Sequence, residues 1–161
     1  MHGKRLFLKW VLFASLIVIG AIVAANLGWV GYLTRDPTHI TIVTLAVFAR
    51  AMLRCGGLAW RMSGAHEAKF VKADLKRASD ASDMCMYIGM IGTAVGLLLM
   101  LGHAMTMTDP AQVMGVAIAN AYIAIVNTVF GAVCGVLIRH QTNEFETEFE
   151  LLHPEPKEGA S

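Results

Sequence analysis

No acidic side chain lies within any of the long apolar runs of this chain. The twelve Asp and Glu are Asp36, Glu67, Asp74, Asp80, Asp83, Asp109, Glu144, Glu146, Glu148, Glu150, Glu155 and Glu158, all in the polar stretches between or after those runs. An intramembrane carboxylate is the usual mark of a proton relay, so this chain by itself has no such relay. Charge of either sign is scarce, at 16% of residues, where a soluble domain has about a quarter. The formal net charge is only +1, which gives no footprint for nucleic acid. Cys55, Cys85 and Cys134 have neither metal-ligand spacing nor a paired framework, and read as free thiols. There is no nucleophile–base pair, metal set or phosphate loop. The chain does not read as an enzyme, and no cofactor is expected.

What is present is apolar mass gathered into blocks. The 161 residues are 56% hydrophobic with a mean hydropathy of +0.57, which points to an all-α integral membrane protein with four transmembrane helices. Residues 1–62 form a first transmembrane hairpin, with spans at about 10–33 and 39–59. Lys4, Arg5 and Lys9 precede the first run, which is too long for a signal peptide; Ala21–Ala25 is only a weak cleavage candidate, and the run reads as an uncleaved span. Trp10 at one end, and Trp29 with Tyr32 at the other, fit interfacial belts. A turn at Thr34–Thr38 leads through Pro37 into the second span. Arg50 falls about two thirds of the way across that span, where it must snorkel or face protein, and Cys55-Gly-Gly57 is placed to kink or end it.

Residues 63–83 form a short polar segment. Ala68, Val71, Leu75 and Ala78 recur at three and four, predicting a helix that runs into the next span. Residues 84–140 hold the second hairpin, with spans at about 84–105 and 111–138 separated by a turn at Thr106–Pro110. His103, the one histidine within a span, reads as interfacial. Residues 141–161 are an acidic tail in which Phe145, Phe149 and Leu152 form an i, i+4, i+7 stripe, a helix leaving the membrane with one apolar edge. Pro154 and Pro156 stop it. With four spans, twelve of the thirteen Lys and Arg lie on one side and only Arg35 on the other. The excess of basic residues places both termini and residues 63–83 in the cytoplasm.

The third span carries Gly89, Gly92 and Gly96 with one hydroxyl, Thr93. On the fourth, Ala117, Asn120, Ala124, Asn127, Gly131 and Gly135 recur at three and four, with Thr128 beside Asn127. Small residues at these spacings let helix backbones approach closely in lipid. The stripes therefore read either as ordinary helix packing with hydrogen bonds, or as the lining of a channel or a seat for another helix.

Ile88-Gly-Met-Ile-Gly-Thr-Ala-Val-Gly-Leu97 resembles the GLLGTVxGM signature of the MotA/TolQ/ExbB proton channel family, and Asn120–Gly131 resembles that family's last span, with Thr128 and Gly131 in the fitting places. The resemblance covers about Asp83 to Phe145. It implies a homopentameric ring around a dimer of a single-span partner of the MotB/TolR/ExbD kind. That partner's membrane Asp carries the proton, which accounts for the missing carboxylate here. The resemblance further implies that Thr93 and Thr128 line the ion path, with Asn127 and Asn120 as second choices, and that Gly89, Gly92, Gly96, Gly131 and Gly135 pack helices. The transported ion would be H+, or Na+. Two departures stand out: Leu137 occupies the place of a usual proline, and residues 63–83 are far shorter than the cytoplasmic domain of flagellar stators. The expectation is a minimal four-span member in a bacterial inner membrane, the channel subunit of a motor driven by the proton-motive force, with long helices extending into the cytoplasm. The alternative is a holin-like or scaffolding membrane oligomer that does no ion-driven work.

Overall fold

The computed structural model of the chain describes residues 2–28, 31, 39–62, 68–106 and 108–152. Trp29, Tyr32, the turn at 34–38, the first residues of the 63–83 segment and the prolines at 154 and 156 lie outside the described residues. Four helices carry the fold: α1 (His2–Asn26), α2 (Ile40–Met62), α3 (Ala68–Thr106) and α4 (Pro110–Leu152). Each is long and apolar enough to cross a membrane.

Two of these helices begin or end away from the expected places. α1 runs from His2 to Asn26, starting ahead of the expected Trp10; a turn follows, with Gly28 at φ +84°, a conformation glycine adopts without a Cβ penalty, and the expected end of the span at Leu33 lies outside the described residues. α2 does not end at Cys55–Gly57 but continues to Met62. Gly56 is instead a socket. A Cβ there would stand 2.5 Å from the indole of Trp10, so that ring of α1 packs directly on the bare backbone of α2. Trp10, read as a belt residue, is a packing residue. α3 is one continuous helix through the polar segment and the third span, because no proline or glycine interrupts Ala68–Tyr87. α4 passes unbroken through Leu137 and on into the acidic tail.

α3 and α4 are antiparallel and packed along most of their length. Their charged ends, with α1 and α2, enclose a core in which Phe145 is almost wholly buried against Leu58, Val71, Leu75 and Ala78, with Leu6 of α1 beside them. Phe149 packs on the same cluster. Phe145 and Phe149 of the tail's apolar edge are thus covered by the chain itself. A second cluster, nearer the middle, joins Phe48, Ala51 and Met52 of α2 to Cys85, Cys134 and Ile138.

These contacts set the depth of α2. Ile40, its first residue, touches the Gly92 position, and Thr41 hydrogen-bonds Asn127. Beyond that level α3 continues from Thr93 to Thr106 without α2 described alongside, about 20 Å at ~1.5 Å per residue. Ile40 meets α3 at Gly92 and Arg61 meets it at Asp74, so Arg50, between them, falls near the level of Asp83 and its ion pair with Arg139 (3.6 Å). Arg50 therefore sits at the charged edge of the apolar zone and not two thirds of the way through it. The lower half of α2 runs beside the polar part of α3, where Arg61 bonds Asp74 at 2.7 Å.

Candidate functional site

The α3–α4 seam is built from residues too small to keep two backbones apart. A Cβ on Gly131 would lie 2.7 Å from the Cys85 carbonyl oxygen and 2.8 Å from Gly89 Cα. Both are backbone atoms, so neither could yield. Gly96 lies against Ala124, Gly92 against Asn127, and Gly135 against Met86 and the Ser82 carbonyl. All five glycines singled out from the sequence are buried in this seam. Ser82 Oγ donates to the Gly135 carbonyl across it at 2.8 Å, a cross-helix bond the sequence reading missed. The signal was there: Ser82, Gly89 and Gly96 recur at seven, two helical turns apart.

At the centre of the seam Thr93 and Thr128 hydrogen-bond each other. Thr93 Oγ1 also lies 3.2 Å from the carbonyls of Gly89 and Ala124, and Thr128 Oγ1 lies 3.1 Å from that of Ala124. A hydroxyl has one proton to donate and lone pairs to accept with, so these bonds are alternatives that exchange by rotation about one side-chain torsion. Both threonines are half-buried. Gly92 and Asn127, the residues just before them, are the ones touching α2. One residue is about 100° of helix, which puts the threonine pair on the edge of the seam turned away from α2.

Asn127 and Asn120 are placed differently. Asn127 is buried between α4 and α2, its carbonyl oxygen accepting from Thr41 Oγ1. Asn120 lies two turns further along the same face and is also buried. The amide nitrogens of both have no hydrogen-bond partner among the described residues. The structure thus brings Thr93 and Thr128 together and keeps the two asparagines apart from them. Thr41, the partner of Asn127, was not singled out from the sequence, since a lone threonine at a helix start carries no signal. His103 is exposed, with Nδ1 2.7 Å from the Leu99 carbonyl. Among the described residues no group of His, Cys, Asp or Glu is placed to hold a metal ion.

Four long apolar helices, two of them joined along a glycine seam with a hydroxyl pair at its middle, define a multi-pass membrane protein. A family model for the MotA/TolQ/ExbB proton channel family matches residues 58–152, more than half of the chain, and the protein belongs to that family. The match begins at Leu58, so it takes in the lower part of α3 as well as the seam. No curated protein and no solved structure matches the chain. Members of the family are channel and transport proteins that work with partner proteins in complexes.

Proposed function

We propose that this protein is the channel-forming subunit of an inner-membrane motor driven by the proton-motive force, with both termini in the cytoplasm. A homopentamer would surround a dimer of single-span partner helices, each with a membrane Asp, and the lower ends of α3 and α4 would extend into the cytoplasm. The observation that carries this reading is the Thr93–Thr128 pair, half-buried at the open edge of the seam inside the family-matched region.

The chemistry follows from the hydroxyls. When a partner's carboxylate faces the pair, Thr93 or Thr128 can turn its proton from the Ala124 carbonyl to that carboxylate with no backbone movement. Solvating the anion in this way lowers the cost of a charge in the low-dielectric interior. When the acid is protonated, the hydroxyls return to the carbonyls. The pair would therefore steady a carboxylate through its protonation cycle without holding the proton itself. H+ suits this scheme, and Na+ would use the same oxygens as ligands. Asn120 and Asn127 are second candidates, because each has a buried amide nitrogen with no partner among the described residues; Asn127, committed to Thr41, would act by fixing α4.

The test is proton flux into liposomes holding this chain together with a single-span, Asp-bearing membrane protein encoded beside it, read with an entrapped pH dye. The chain alone is expected to give no flux and the pair a clear flux. Thr93→Val with Thr128→Val is expected to lower the flux at least tenfold while the complex still co-purifies. Flux unchanged in that double variant, or flux from this chain alone, would overturn the reading. A stable oligomer that binds no such partner would favour the scaffold alternative.

A further inference from the structure

Arg50 and Arg54 stand one turn apart on the outer face of α2, both exposed. Neither makes an ion pair or hydrogen bond with any described residue. Of the acids near this depth, Asp83 is engaged by Arg139, Asp74 by Arg61 and Arg77, and Glu144 by Lys9, and the exposed Asp80 bonds neither arginine. Arg61 continues the stripe on the same face, seven residues beyond Arg54. Between them Gly57 presents no side chain, and a Cβ there would meet nothing within 4 Å. The result is a shallow recess edged by guanidinium groups. Beside it Leu53 is 74% exposed.

The depth of this recess decides what fills it. Arg50 falls near the level of the Arg139–Asp83 pair, where the apolar zone of α3 and α4 gives way to charge. Above it, the same side of α2 is apolar, with Val43 about half exposed and Ala46 exposed. A planar guanidinium with a fork of N–H donors matches phosphate oxygens, and an arginine near an anionic membrane surface is stabilised by it. From these observations we infer that Arg50 and Arg54, with Gly57 as the recess between them and Arg61, bind the phosphate headgroup of an anionic phospholipid whose acyl chains lie along Leu53 and Val43. The inference rests on the membrane placement and is independent of the ion path.

The test is native mass spectrometry of the full chain in neutral detergent, offered equal phosphatidylglycerol and phosphatidylcholine with the same acyl chains. The wild type is expected to retain phosphatidylglycerol preferentially. Arg50→Gln with Arg54→Gln is expected to weaken that retention about thirtyfold, from the loss of two interfacial arginines. Lys76→Gln, on the polar part of α3, is expected to leave it unchanged. Arg50→Lys with Arg54→Lys, which keeps the charge and the fold, is expected to fall between the two. Equal retention of both lipids by the wild type, or undiminished preference in the Gln variant, would overturn the inference. So would full displacement by millimolar inorganic phosphate, which would mark an anion site indifferent to lipid. A Gln variant that loses its oligomer in every lipid would assign the arginines to a subunit contact instead.

Discussion

α3 and α4 touch each other in two chemically different ways along one pair of helices. In the apolar half, contact is backbone to backbone, Gly89 on Gly131 and Gly96 on Ala124. In the charged half, the same two helices are joined through large side chains, with Phe145 buried against Val71, Leu75 and Ala78. The difference follows from the solvent. In water, burying a phenyl ring is itself the driving force. In lipid a phenyl ring is no worse off outside, and helices associate through close van der Waals packing and hydrogen bonds that only small residues permit. The switch from glycine seam to phenylalanine core is what a passage from lipid to water along the two helices would require, and the Arg139–Asp83 pair lies near the switch.

The largest expected effect tests the water side of that comparison. Phe145 is 1% exposed, and Phe145→Ala should cost about 4 kcal/mol. The loss should be local: amide exchange should rise in α2 around Leu58 and in α3 around Leu75, and stay unchanged around Gly92. Uniform loosening of the whole bundle would break the division into two regimes.

Next comes the lipid side. Gly131→Val would drive a branched side chain into the backbone of α3 at Gly89 and Cys85, and the helices would have to part. We expect about 3 kcal/mol or more, beyond ordinary overpacking, read as a lowered thermal midpoint in detergent micelles. Separation at this point also pulls Thr93 from Thr128, so flux with the partner should fall together with stability. In Thr93→Val with Thr128→Val, by contrast, flux should fall with stability largely kept.

A smaller effect is expected where polar groups do the joining. Thr41→Val removes the donor to Asn127 and leaves that buried amide with no partner among the described residues on either atom. Hydrogen bonds between membrane helices contribute about 1 kcal/mol, so the thermal midpoint should drop only slightly. Release of α2 from α4 should show as faster exchange at the start of α2. No change at all would mean that the burial of Asn127 is set by Gly92 and Ile40 alone.

How much of this was legible in the sequence divides along the same line. The seam could be read because helix faces are local. Gly89, Gly92, Gly96, Gly131 and Gly135 fall at three-, four- and seven-residue spacings, and a face is fixed by spacing. The continuity of α3 through residues 68–87 was legible for the same reason. Depth and pairing were not. That Arg50 lies at the charged edge depends on the register of α2 against α3, fixed by Ile40 at Gly92 and Arg61 at Asp74, and that Cys55–Gly57 continues the helix goes with Trp10 filling the space over Gly56. Both are contacts between helices that no single-segment pattern encodes. That Thr93 and Thr128 share one path was implied by the family resemblance and not by spacing, and their direct contact was not foreseen. Their positions on opposite helices become neighbours only once the antiparallel register is known.

The smallest expected effect sharpens the comparison most, because it separates what a glycine does from where it sits. Gly102 is on α3, beyond Gly96 by nearly two turns, yet a Cβ there would meet nothing within 4 Å. It has the composition of the seam without its contact. Gly102→Ala should therefore be neutral or slightly stabilising, by less than about 1 kcal/mol, through helix propensity alone. If it instead lowers the thermal midpoint of the assembled complex while leaving the isolated chain unaffected, the end of α3 has a close neighbour in the assembly. The glycine seam would then continue from within one subunit to the contact between subunits or with the partner helix. Measuring the same substitution in both states decides whether the packing rule seen inside the chain also builds the oligomer.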